Sequence, residues 1–318
     1  MGVTTNDIFG VTPAIEPATL GSYGAQPRGY RLHSATRLGR VRLQVADLAR
    51  SLAFYERILG LRVVARHKSI ATLAAHNDER VLVELNERAG SRPADRGLLG
   101  LYHFAILLPD RPSLGRFVQH LAETRARAGG SDHLVSEAFY LTDPDGLGIE
   151  VYADRPRSMW RRVGQELMIS TDPIDVAGLV EAAGHTRWSG MPPGTVIGHV
   201  HLHVGDLTLG SAFFSDALGF DRMTWRYPGA LFLGAGGYHH HLGTNTWAGA
   251  GARPPGDGDA GLLEWSIEVP TPDDVAAVTR SLQDAGHPVE VIAPGEARTR
   301  DPWGTHIRLC AAGDEVVR

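Results

Sequence analysis

His103-Phe104-Ala105-Ile106-Leu107-Leu108-Pro109-Asp110 and His199-Val200-His201-Leu202-His203-Val204-Gly205-Asp206 are two copies of one pattern, in which a histidine opens an apolar strand and an aspartate closes it. Working outward, the same pattern appears twice more. One copy runs Val41-Arg42-Leu43-Gln44-Val45-Ala46-Asp47-Leu48, and a looser one runs Glu264-Trp265-Ser266-Ile267-Glu268-Val269. An amphipathic helix is predicted after each strand: Ala49 to Ile58 in the first copy, Leu114 to Arg127 in the second, and one ending at Leu218-Gly219-Phe220 in the third. Gly60 reads as a helix stop. Short strands follow, the last being Val81–Leu85, Gly148–Tyr152, Tyr238–Leu242 and Thr305–Leu309. The chain is therefore α+β: four βαβββ modules of roughly 50 to 60 residues each. A lone module leaves sheet edges and an apolar face open. Pairing modules covers both, so four of them predict two pseudosymmetric open-barrel units.

The segments between modules complete the layout. Residues 1–36 are punctuated by Gly and Pro and read as an N-terminal arm. Modules one and two, residues 37–154, are read as a first domain, and modules three and four, residues 196–312, as a second. Residues 155–195 form a linker with a short helix expected at Asp175–Ala183. At 318 residues the chain has room for two domains of ordinary size. Its 43% hydrophobic and 21% charged residues fit a globular protein, and the net charge of -5 argues against a nucleic-acid surface. Neither a membrane span nor a secretory signal is evident, and the single cysteine, Cys310, excludes a cysteine-built zinc site. A cytoplasmic setting is expected. The 15 histidines are the compositional oddity, because several sit inside apolar runs.

Equivalent positions in the four modules locate candidate ligands. The residue that opens the first strand is Arg40, His103, His199 or Glu264, and the inward residue of the closing strand is Glu84, Glu150, His241 or Arg308. Modules two and three thus supply three imidazoles and a carboxylate, whereas modules one and four supply two arginines and two glutamates, a degenerate or structural counterpart. Two imidazoles and one carboxylate on adjacent strands suit a divalent ion and leave coordination positions open. Residues two apart on a strand share a face, so His199, His201 and His203 point one way and the pattern alone does not choose among them. By the same alternation His239 and His241 share a face and His240 points opposite.

Two stretches resemble the extradiol ring-cleavage dioxygenases of the vicinal-oxygen-chelate superfamily. One runs from His133 through Phe139-Tyr140 and the turn Asp143-Pro144-Asp145-Gly146 to Glu150, and the other is Gly237-Tyr238-His239-His240-His241. From about Arg31 onward the chain is similar to the CatE-like group of two-domain bacterial catechol 2,3-dioxygenases, including Tyr102–Arg111, Tyr152-Ala153-Asp154-Arg155-Pro156-Arg157 and Asn245-Thr246-Trp247-Ala248-Gly249. The resemblance implies that Glu150, His103 and His199 are metal ligands. His241 falls at the family's acid/base histidine, and His133 and Tyr140 fall where groups contact substrate oxygens. The implied metal is Fe(II), with Mn(II) and Zn(II) as alternatives. The implied reactants are a small aromatic diol and dioxygen, in aromatic hydrocarbon catabolism, with self-association into a homo-oligomer. Better-known relatives build the site from their last two modules, whereas here the full set lies in modules two and three. The expectation is that modules two and three pair directly and modules one and four form the other unit. Two alternatives share the scaffold. One is a glyoxalase-type isomerase or lyase, which needs two histidines and two glutamates and is disfavoured by His241. The other is a non-catalytic protein that binds a small ligand or metal.

Overall fold

The computed structural model describes residues 3–11 and 13–313. Its order is that of four βαβββ modules. Their strands are Arg37–Val45, Arg62–His67, Ile70–Ala74 and Val81–Glu87 in module one, and Gly100–Leu107, Gly129–Asp132, Ser136–Thr142 and Gly148–Asp154 in module two. Module three has Val196–His203, Asp221–Thr224, Ala230–Gly234 and Leu242–Asn245; module four has Gly261–Val269, Val289–Ala293, Glu296–Arg300 and His306–Ala311. The aspartates that mark the end of the opening strands are helix N-caps. Asp47, Asp110 and Asp206 accept hydrogen bonds from the backbone N–H of Arg50, Ser113 and Leu209. Each satisfies a donor that the helix start leaves free. Thr271 does the same in module four, in a reciprocal capping box with Asp274.

Two curled eight-stranded sheets result. Within each module the opening and closing strands lie side by side and parallel. Between modules, opening strand meets opening strand antiparallel, two with three and one with four. The pairing needed to assemble the site is therefore present. Segments 37–154 and 196–312 each give one module to both sheets. The helices Leu48–Phe54, Arg111–Thr124 and Pro272–Asp284 pack apolar residues such as Leu52, Phe117 and Val278 into one continuous core. Module one locks onto the Asp143–Gly146 turn of module two. Arg50 and the Ser51 hydroxyl bond the wholly buried Asp145 carboxylate, and the Tyr55 hydroxyl donates to Asp143.

The N-terminal arm is folded rather than trailing. Its strand Ile15–Pro17 pairs with Arg161–Val163 of the linker, and Thr5 bonds Asp172 through its backbone N–H and its hydroxyl. The linker helix is Val176–Ala183, capped by Asp175. No helix among the described residues is long and apolar enough to cross a membrane.

The seam between modules two and three is irregular in a way that serves the site. The register steps at Gly198 on one strand and at Tyr102 on the other, leaving each without a cross-strand partner. Such bulges re-aim the neighbouring side chains. Position 198 must be glycine, because an added Cβ would sit 1.8 Å from the Tyr152 hydroxyl and 2.7 Å from its ring. Tyr152 is fully buried and cannot swing away. Gly198→Ala is expected to lose on the order of 3 kcal/mol through overpacking, measured as a shifted denaturant midpoint at unchanged m-value.

Candidate metal centre

His103, Glu150 and His199 come together at the seam. Glu150 Oε2 lies 3.0 Å from His103 Nε2 and 3.1 Å from His199 Nε2, and one ligand atom from each residue lies within 4.8 Å of the others. The sheet makes this meeting inevitable. Ala105 faces Glu150 across the parallel pair on one side and His199 across the antiparallel pair on the other. His103, two residues before Ala105, shares its face. All three residues are at most 5% exposed. Burial pushes the Glu150 carboxyl up, but His199 and His103 outweigh it and hold it well below the usual carboxylate range. Burial presses both imidazoles below their ordinary value despite Glu150, which keeps them neutral near pH 7. Deprotonated ligands are what a metal requires.

The cluster opens onto a cavity of about 500 Å³. Tyr102, Tyr227, Phe232 and Trp247 form an aromatic wall, and Val3, Ile169 and Thr171 bring the arm and linker to its rim. Among the described residues no Lys or Arg lines it, so none of them sets a lysine or arginine charge beside Glu150 in the cavity. His103 Nε2 is buried without a hydrogen-bond partner. An unbalanced buried carboxylate and an orphaned imidazole nitrogen fit a divalent cation held by these three residues.

The remaining expected site residues divide. His133 and Tyr140 both line the cavity. His133 Nδ1 donates to the Ser170 carbonyl at 2.5 Å, so in a neutral ring Nε2 accepts, and the Tyr140 hydroxyl lies 2.5 Å from it. Burial, then Glu150, raises the Tyr140 pKa well above its ordinary value. Tyr140 therefore stays protonated, its proton committed to His133.

His241 does not reach the cavity. Residues 239–241 form a bend before a strand that starts only at Leu242, so strand alternation does not govern them. His241 Nδ1 accepts the Ala235 N–H at 3.2 Å, and the ring packs against Tyr238 and Phe220. Burial foremost, with His239 and His199 adding to it, depresses its pKa to about 3, so it is a neutral anchor. The histidine on the cavity is His240, whose ring centroid is 4.2 Å from that of His199. The strand register corrects the equivalence as well. Glu84 faces Arg42, Glu150 faces Ala105 and Arg308 faces Ser266; the residue facing His201 is Gly243. An added Cβ at Gly243 would lie 2.8 Å from the His201 ring, which occupies that space and lines the cavity. His203 is tied instead to Asn245 Oδ1 at 2.6 Å.

The pseudosymmetric positions of the other sheet hold ion pairs. Arg42 bonds Glu84 at 2.8 Å and approaches Glu264 at 3.5 Å, Arg298 lies 3.0 Å from Glu264, and Arg308 is 2.8 Å from Glu296. Arg40 adds a contact to Glu84 at 3.6 Å. Here the protein supplies the cations, as the arginine and glutamate pattern anticipated.

Fold and site together define a protein of the glyoxalase and dioxygenase type. The family model described as Glyoxalase/Bleomycin resistance protein/Dioxygenase superfamily matches residues 37–151 and 196–309, and the chain belongs to that family. A Bacillus subtilis (strain 168) protein named catechol-2,3-dioxygenase is 42% identical over 275 residues, which cover 85% of this chain and 95% of that one. Solved structures share the fold. A Bacillus subtilis strain 168 structure has a TM-score of 0.60 at 12% identity, covering 89% of this chain and 86% of its own. Glyoxalase I from Zea mays has a TM-score of 0.52 at 19% identity, covering 87% and 92%.

Metal content tests the centre directly. The protein is expected to retain about one divalent ion per chain after dialysis, and His103→Ala, Glu150→Ala and His199→Ala each to lose it. Elemental analysis that finds full retention in all three variants would place the ion elsewhere.

Proposed function

We propose that the protein is a mononuclear iron(II) extradiol dioxygenase that opens the ring of a catechol-type diol with dioxygen. The observation carrying this reading is the buried set of two histidines and one carboxylate, open on one side to an aromatic-walled cavity, in a chain 42% identical to a protein named catechol-2,3-dioxygenase. Such a triad with free positions is the usual ligand set of non-heme iron(II) oxygenases. When bound, the metal supplies a Lewis acid that favours the catecholate and an electron path between diol and dioxygen. Mn(II) and Zn(II) fit the same donor atoms.

The protein's own part follows from the geometry. His103, Glu150 and His199 would hold the ion with a combined charge of -1. The aromatic wall of Tyr102, Tyr227, Phe232 and Trp247 receives a planar ring. Tyr140, its proton given to His133, presents its oxygen to a substrate hydroxyl. His240 is the acid/base group in place of His241, because it lines the cavity with its ring centroid 4.2 Å from that of His199 while His241 does not line it. Val3, Ile169 and Thr171 line the same cavity, and their apolar atoms would limit water beside a bound ring. Both oxygen atoms of dioxygen end in a ring-opened semialdehyde. A glyoxalase-type reaction would want a second glutamate, and Gly243 stands where the pseudosymmetry would put it.

Anaerobically prepared, iron-loaded protein is expected to take up dioxygen on addition of catechol and to form a yellow ring-fission product. His240→Ala should keep the iron and lose about 10²- to 10⁴-fold in kcat, while His241→Asn should keep turnover within a few-fold. Zinc or nickel content with thiol-adduct isomerisation and no oxygen uptake would establish the glyoxalase reading instead.

A further inference from the structure

Behind His240 lies a chain of hydrogen bonds that no step above uses. His239 Nδ1 is 2.7 Å from His240 Nδ1, and His239 Nε2 is 2.8 Å from Asp154 Oδ1. Asp154 ends the strand Gly148–Asp154, four residues after Glu150 and on the same face. One strand thus carries both the metal-binding carboxylate and the carboxylate behind the acid/base histidine. His239 is fully buried, its ring 5.5 Å from that of Trp160 and 4.1 Å from that of Tyr238. Asp154 is held in turn by the Tyr238 hydroxyl at 3.3 Å, and Tyr238 lies 2.8 Å from the Tyr152 hydroxyl.

The donor count along this chain has one solution for neutral rings. A carboxylate only accepts, so His239 Nε2 carries the hydrogen. Its Nδ1 is then bare and must accept, so His240 Nδ1 carries the hydrogen. That leaves His240 Nε2 with a free lone pair on the nitrogen not used by the chain. We infer that Asp154 and His239 are positioning residues that lock His240 in its Nδ1–H tautomer, so that Nε2 is the atom that accepts the substrate's hydroxyl proton. The inference rests on the dioxygenase reading for its catalytic meaning. The logic is that of a buried aspartate fixing the tautomer of a catalytic histidine, where loss of the carboxylate costs kcat by presenting the wrong nitrogen.

Without the carboxylate, His239 is free to carry its hydrogen on Nδ1, which forces His240 Nδ1 to accept and puts the His240 hydrogen on Nε2. Asp154→Leu is therefore expected to lower kcat for catechol by tenfold or more, with KM within about twofold and iron content unchanged. Asp154→Glu should recover part of the loss. A second measurement needs no variant: long-range proton–nitrogen NMR of the zinc-loaded, diamagnetic protein should show His240 protonated at Nδ1. An Nε2-protonated His240 in wild type, or an Asp154→Leu enzyme with wild-type kcat, overturns the lock while leaving the dioxygenase reading intact. Wild-type, iron-loaded protein that turns over no catechol overturns that reading, and with it the catalytic role of the lock, whatever the NMR shows.

Discussion

The antiparallel pairing of Gly100–Leu107 with Val196–His203 is the constraint on which the metal centre depends. It sets His199 across from Ala105 while the parallel neighbour sets Glu150 across from the same residue. Two imidazoles and a carboxylate then have no room to avoid one another. The bulges at Gly198 and Tyr102 tune the aim, and Tyr152 fills the space that a side chain at 198 would have taken. A strand slip of one residue would turn every ligand to the other face, so the apolar residues that fix the register also fix the chemistry.

The two sheets are related by one architecture and differ in how they settle a buried charge. Moving a carboxylate out of water costs several kcal/mol unless an opposite charge meets it. Around Glu84 and Glu264 the chain brings its own guanidinium groups, Arg40, Arg42 and Arg298. Around Glu150 it brings only neutral rings. The first arrangement is self-sufficient and structural. The second brings two imidazoles and a carboxylate within reach of one another, the donor set that suits a divalent ion.

Much of this was legible in the sequence, for identifiable reasons. The opening strands are apolar runs with fixed spacing to an N-capping aspartate, so the modules follow from pattern, which also offers His103, Glu150 and His199 as candidates; the choice of His199 over His201 and His203 came from the resemblance. The three-histidine run was misjudged because alternation was applied to residues that form a bend, where side-chain direction is set by local hydrogen bonds such as Ala235 N–H to His241. The resemblance and that alternation both pointed to His241, whereas His240 is the residue of the run that lines the cavity and Gly243 is the one in register at the position equivalent to Glu150. The contribution of Val3 to the cavity had no signal at all, since it depends on contacts between the arm and a linker some 165 residues away in sequence.

The order in which modules pair, two with three and one with four, nests one sheet inside the other along the chain like brackets. The inner pair is joined by the linker and can close once Val196–His203 is available. The opening strand of module one must wait for Gly261–Val269, which is the last of the four opening strands to be made. The long sequence separation between its two opening strands predicts slow closure of the outer sheet around an inner one already formed.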